Sequence, residues 1–185
     1  MIIESIVTTL DPENRPNFAP MGVEWNDEVI VLKPFLETTT FRNLSAHGAA
    51  VVNLTDDVLV FARAALTNPA FPSRPAERVR GVVLDAACSW HEVEVESLDA
   101  SPPRARAVTR VVHRGRGREF LGFNRARHAV LEAAILSTRI HLLPHQQIQE
   151  EIERLAVLVE KTAGPREREG WSLLVDYLRE KGVLA

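Results

Sequence analysis

A single cysteine, Cys88, stands among 185 residues, so no internal disulfide is available; a reducing compartment, or indifference to redox state, is implied. A basic, apolar leader is missing too. The opening MIIESIVTTL carries Glu4 and no cationic region, which reads as no signal peptide. No apolar run approaches the roughly 18 residues needed to span a bilayer, and a soluble, cytoplasmic chain is expected. A large excess of either charge is lacking as well: the formal net charge of −3 gives no global pull toward nucleic acid or membrane. There is no repeat, no low-complexity tract and no Gly-x-Ser-x-Gly. No histidine stands beside an obvious nucleophile, so hydrolysis has no visible base.

What is present is ordinary for a globular chain, with 45% hydrophobic and 25% charged residues. One domain, or one with an appendage, is long enough to bury a core without staples. MIIESIVTT and NFAPMGVEW read as strands, and EVIVLKPF follows as a hairpin partner across the Asn26-Asp27 turn. GAAVVNLT is a short apolar strand of the kind buried on both faces, and Asp56 or Asp57 then offers an N-cap to a helix VLVFARAAL. TNPAFPSRPAERVRG, rich in proline, predicts an irregular surface loop. Val93 and Val95 alternate with Glu92, Glu94 and Glu96, a strand with one wet face. SPPRARAVTRVVHRGRGREFLGF reads as two strands around an RGRG turn.

After Gly122 the period changes to helical. Ala126, Ala129, Val130, Ala133, Ala134 and Leu136 share a face behind the N-cap Asn124. A second helix carries Ile148, Ile152, Leu155 and Leu158 or Val159, and a third runs from Pro165 to Gly182. Strands first and helices last predict an α+β fold.

The stretch TTTFRNL at residues 38–44 is the most suggestive chemically. A helix beginning at Phe41 would be capped by Thr39 or Thr40, which accounts for one threonine. A helix N-terminus with free N–H groups, three hydroxyls (Thr38, Thr39, Thr40) and Arg42 one turn in also suits a phosphate. A capped surface helix and an anion cradle both remain open on these residues alone.

Three stretches in order, Asn17-Phe18-Ala19-Pro20, Thr40-Phe41-Arg42-Asn43-Leu44 and Val52-Asn53-Leu54, resemble the FMN-binding split-barrel flavin proteins of flavin reductase type. The threonine run departs from the charged residue those reductases often place before the threonine. From APMGV through FNRARHAVLEAAILSTR the chain is similar to an uncharacterised group within that fold, domain of unknown function 447. The resemblance implies an FMN-binding split β-barrel over residues 1–123 and a C-terminal helical segment over 124–185 packed on it. It further implies non-covalent FMN in a homodimer whose second subunit completes the pocket. Thr38, Thr39, Thr40, Arg42 and Asn43 would serve the phosphate. Ala19, Pro20, Met21 and Gly22 would lie along the ring, with Gly22 removing a side chain where the ring approaches. Asn53 and Thr55 would face the pyrimidine edge; the alternative for Asn53 is a strand-end residue satisfying turn backbone. The implied activity is a flavin-dependent oxidoreductase; the alternative is a non-catalytic flavin-binding or sensing protein. NAD(P)H or a small heterocycle is the implied substrate class. Since no dinucleotide fingerprint is present, NAD(P)H would bind at the mouth of the flavin pocket.

Other clusters point less far. His141 and His145 are separated by Pro144, which breaks the face that would aim both at one ion, and His47, His91 and His113 lack metal spacing. No metal site is expected. Residues 104–118 hold six arginines and no acid, a basic hairpin in appearance. Without interleaved aromatics it lacks the stacking platform of single-strand binders, and pairing with the Glu92–Glu96 strand is the expectation. Arg125 and Arg127 occupy a first helical turn, against the dipole preference, which suggests an anion or a compensating acid such as Glu132. Arg125 is therefore a further candidate for FMN. Cys88 reads as a buried, inert thiol.

Overall fold

The computed structural model describes residues 1–185 and divides into two compact units: Met1–Thr55 with Ala70–Phe120, and Asp56–Pro69 with Leu121–Ala185.

In the first unit, β1 (Ile2–Leu10), β2 (Pro16–Trp25), β3 (Val29–Leu32), β4 (Ala49–Leu54), β7 (Ser89–Asp99) and β8 (Arg106–Arg116) close into a barrel of order β1-β2-β3-β8-β7-β4. All pairings are antiparallel. Period-two alternation places Val7, Val23, Ile30, Leu32, Ala50, Val52, Val93 and Ala107 in one interior cluster. Between β3 and β4, α1 (Thr39–His47) drives Leu44, 1% exposed, into that cluster, a burial worth about 1.5–3 kcal/mol. Gly48 ends the helix at φ +62, a left-handed turn that glycine adopts without strain. β4 is apolar on both faces because its outer face is covered: Val51 packs with Val83 and Trp90.

That cover comes from the proline-rich stretch, which is not wholly irregular. Its β5 (Ser73–Pro75) pairs with β6 (Val82–Leu84), which directly follows the stretch, as a two-stranded sheet. Proline is compatible with such an edge, where no ladder donor is needed. The same cover overturns the expected wet face of β7 at one position. Glu94 and Glu96 are exposed, but Glu92 is 0% exposed, because residues 77–79 fold over it. Nor is RGRG a turn between two strands. Arg114, Gly115 and Arg116 continue β8 opposite β7, and no strand follows. Gly115 lies under an indole, where a Cβ would come within 2.0 Å of Trp90 Cζ2. The glycine answers to a packing demand, not to a bend.

The second unit gathers α2 (Val58–Leu66), α3 (Arg125–Ser137), α4 (His145–Thr162) and α5 (Pro165–Glu180). It takes in residues 56–69, which a division at residue 123 leaves with the strands. Val58, Ala62, Ala126, Val130, Ile152 and Leu174 share its core. On α4 Val159 completes the fully buried row with Leu158 packed beside it, and on α3 Leu136 packs half-buried against the same core while Ser137 is fully buried. Gly170 lets α5 approach α3 closely; a Cβ there would lie 3.2 Å from Val130 Cγ1.

Candidate functional site

β2 is ten residues long, yet it pairs with β3 only at Glu24↔Val31 and Trp25↔Ile30. Its other edge is fully laddered to β1 from Ile2↔Glu24 to Leu10↔Pro16. From Pro16 to Val23 the β3-facing edge therefore has no ladder partner. Pro20 sits in this edge, where its missing N–H removes no ladder bond. β3 leaves β2 after two pairs and runs with β8; residues 33–38 then lead to α1. The barrel thus has a seam, with Ala19–Gly22 on one side and the start of α1 at its Asn17 end.

The α1 N-terminus is built from the threonine run, one position earlier than the sequence suggests. Thr38, not Thr39 or Thr40, is the N-cap: its Oγ accepts from Phe41 N–H at 3.3 Å and its hydroxyl donates to Phe35 O at 2.7 Å. The N–H groups of Thr39 and Thr40 have no intrahelical acceptor, and the first turn holds no acid. Thr39 Oγ accepts from Arg42 Nη2 at 2.9 Å, while Arg42 Nη1 donates to Glu37 O at 2.8 Å. The exposed guanidinium is thereby folded back beside the helix start, adding a fixed charge where the dipole already favours an anion.

Thr40 and Asn43 are buried behind this surface, at 2% and 3% exposure. Asn17 Nδ2 donates to Thr40 Oγ at 3.1 Å, and Asn43 Nδ2 donates to Thr9 Oγ at 3.0 Å. These bonds tie α1 to β2 and β1. Both residues hold the helix in place; Thr38 gives its N–H and its hydroxyl to Phe35 O, so the donors left at the helix start are the Thr39 hydroxyl, the N–H groups of Thr39 and Thr40, and Arg42.

The other expected contacts fall differently. Met21 turns inward and packs against the barrel cluster. The space over Gly22 is taken by β1: a Cβ would meet Glu4 Oε1 and Ile2 Cγ2, each at 2.9 Å. Asn53 is 0% exposed and engaged at both amide atoms. Its Nδ2 donates to Ile6 O at 3.0 Å, and its Oδ1 accepts from Leu84 N–H at 2.9 Å. It joins β4, β1 and β6 and leaves no free group for a ring edge. The turn-satisfying alternative is closer, extended to backbone on two strands. Thr55 Oγ donates to Ala86 O at 2.7 Å.

Arg125 stands exposed at the first position of α3, in the helical unit. The first-turn cation that carries structure is its neighbour. Arg127 Nη1 bonds Asp56 Oδ2 at 2.5 Å and its Nε bonds Glu167 Oε1 at 3.0 Å. The compensating acids are thus distant in sequence, whereas Glu132 lies 4.0 Å from His128. Burial pushes the Glu167 carboxyl up, but donation from Arg127 and from backbone N–H groups outweighs this and holds it below its ordinary value.

Sequence reasoning missed Glu92. Its carboxylate accepts the backbone N–H of Glu77 at 2.9 Å, Arg78 at 2.6 Å and Val79 at 3.1 Å, with Trp90 Nε1 at 3.3 Å. Desolvation opposes its charge, yet these donors together keep its pKa depressed. A carboxylate on an alternating strand signals solvent, and only the fold of residues 77–79 reverses that. Most of the arginines in 104–118 meet ordinary partners: Arg110 pairs with Glu94 at 2.9 Å and Glu96 at 3.4 Å, and Arg106 lies 3.9 Å from Glu24. Burial, then the nearby Arg114 charge, lowers the His91 pKa.

A solved FMN-bound protein from Methanosarcina mazei superposes with a TM-score of 0.82 at 24% identity, over 96% of this chain and 95% of that one. The 2-nitrobenzoate 2-nitroreductase of Pseudomonas fluorescens matches at a TM-score of 0.52 and 18% identity, over 60% of this chain and 62% of its own. An FMN-binding protein from Thermus thermophilus, solved with p-hydroxybenzaldehyde, matches at 0.52 and 16%, over 62% and 71%. At these identities the likeness establishes the fold, the split barrel of flavin proteins. Family models described as protein of unknown function (DUF447) match residues 3–118 with the N-terminal domain and 124–176 with the remainder, and the chain belongs to that family.

Proposed function

We propose that this chain binds FMN non-covalently along the β2 seam and serves as a flavin-dependent oxidoreductase of flavin reductase type. The observation that carries it is the meeting of an unpaired strand edge, Asn17–Val23, with an acid-free, arginine-flanked helix start. At about 3.3 Å per residue, the edge from Asn17 to Gly22 is long enough to accept a phosphate at one end and a tricyclic ring at the other. Thr39, Arg42 and the free α1 N–H groups would hold the phosphate, with Thr38 capping the helix and Thr40 and Asn43 fixing it from behind. Backbone groups of Ala19–Gly22 would meet the polar edge of the ring. The bound flavin would supply the electron chemistry, while the chain binds it, orients it and excludes water. The FMN named for the Methanosarcina mazei and Thermus thermophilus proteins supports this assignment, as does the nitroreductase sharing the fold. A homodimer completing the pocket belongs to the same proposal.

A second function, flavin binding without turnover, is favoured by one feature: Ala19, Pro20, Met21 and Gly22 carry no titratable side chain. The two are separated by loading the protein with FMN and adding NADH or NADPH with an electron acceptor. Sustained oxidation supports the oxidoreductase; retained flavin with no oxidation supports the binding protein.

A further inference from the structure

We infer that Phe35 and Arg104 form a platform for the adenine ring of a phosphorylated adenosine, on the side of the seam away from β2; this rests on the flavin assignment of that seam. Phe35, on the connection between β3 and α1, is 40% exposed. The Arg104 guanidinium lies over its ring, 4.0 Å from the centroid. The two residues face each other across an antiparallel bridge, and Ala105 N–H donates to Pro34 O at 2.9 Å. The stack is therefore fixed by backbone as well as by cation–π attraction.

Three nearby cations are neutralised: Lys33 and Arg106 share Glu24, and Arg110 takes Glu94 and Glu96. Arg42 keeps its charge but is bonded to Glu37 O and Thr39 at the phosphate cradle. Arg104 has the ring of Phe35 and no carboxylate. The exposed guanidinium, held over the Phe35 ring, leaves its outer side to a nucleobase, and its N–H fork suits a phosphate oxygen. A purine gives the larger stacking face. The platform is also coupled to the phosphate cradle, since Phe35 O accepts both the N–H of Thr38, at 3.1 Å, and its hydroxyl, at 2.7 Å. The adenosine could arrive as part of a nicotinamide dinucleotide or as free adenylate, and the chemistry of recognition is the same.

The test is calorimetric titration of AMP into the FMN-loaded protein and its Arg104→Ala, Arg104→Lys and Phe35→Leu variants, with FMN affinity measured alongside. We expect AMP affinity to fall about tenfold in Arg104→Ala and Phe35→Leu, the loss expected for one stacked base. Lysine should not restore it, because an ammonium presents no plane. FMN affinity should stay within about twofold, equivalent to under 0.5 kcal/mol. A matching rise in KM for NADPH with unchanged kcat assigns the adenosine to a dinucleotide; unchanged KM assigns it to free adenylate. Absence of AMP binding by the parent protein, or equal AMP affinity in Arg104→Ala, overturns the platform. FMN affinity falling in step with AMP affinity also overturns it, since the pair would then serve the flavin. Failure of the parent protein to hold FMN refutes the flavin assignment instead, and is read separately from its spectrum.

Discussion

Thr38, Thr39 and Thr40 are adjacent in the chain but turn their oxygens in three directions, to the helix cap, to Arg42 and to a buried amide. A run that reads as redundancy is therefore a division of labour, and each substitution has its own signature. Arg42→Ala should weaken FMN binding by about 1.5–3 kcal/mol, the worth of a charge-assisted hydrogen bond, with little change in melting temperature. Titration of FMN fluorescence quenching checks this, and unchanged affinity would remove Arg42 from the cradle. Thr40→Ala with Asn43→Ala should lower both melting temperature and FMN affinity, because those side chains hold the helix. Asn53→Ala should act on stability. It strands the Leu84 N–H and leaves a void, costing about 1–3 kcal/mol for the unsatisfied group alone, measurable by urea unfolding.

Glu92 adds a pH dependence at the same scale. Its folded pKa is depressed, so its charged form contributes stability at pH above its ordinary value of 4.5, lost as pH falls through the lower folded value. Glu167 acts in the same sense. The acid limb of the stability curve should therefore be steep between pH 4.5 and the lower folded values, and Glu92→Gln should flatten it while lowering stability at neutral pH. An unaltered acid limb in the variant would mean that Glu92 does not carry it.

Among the elements, those with a long, uninterrupted period were legible: α3, α4 and α5 from their apolar rows, β4 from its unbroken run, β1 and β2 from β-branched and alternating residues. Three features were not, and each depends on a distant segment. The burial of Glu92, on the outer face of β7, needs residues 77–79 above it. The pairing of β5 with β6 is hidden by prolines that an edge tolerates. Gly115 and Gly117 imitate a turn, although one lies under Trp90 and the other beside Ala87 O. Gly115→Ala should displace the Trp90 indole, weaken its bond to Glu92 and loosen residues 70–85. Faster limited proteolysis in that stretch is the expected result. Proteolysis at the parent rate would show that the indole shifts without consequence. At the site itself, the order of motifs indicated a flavin fold, but the seam was not visible. It arises because β3 has only four residues and pairs with β8 more extensively than with β2.

For the whole molecule, strands and then helices resolve into a barrel unit and a helical unit, with α2 drawn into the latter. Residues 3–118 and 124–176 each match one part of the same family. The central claim concerns the barrel unit, that its β2 seam and α1 start form a flavin site. The most direct test is the visible absorption spectrum of the purified protein, recorded before and after adding FMN and desalting. Retained flavin bands are expected, about one FMN per chain, reduced in Arg42→Ala. A colourless protein that keeps no FMN would contradict it and leave Thr38–Thr40 as the cap and anchor of a short helix.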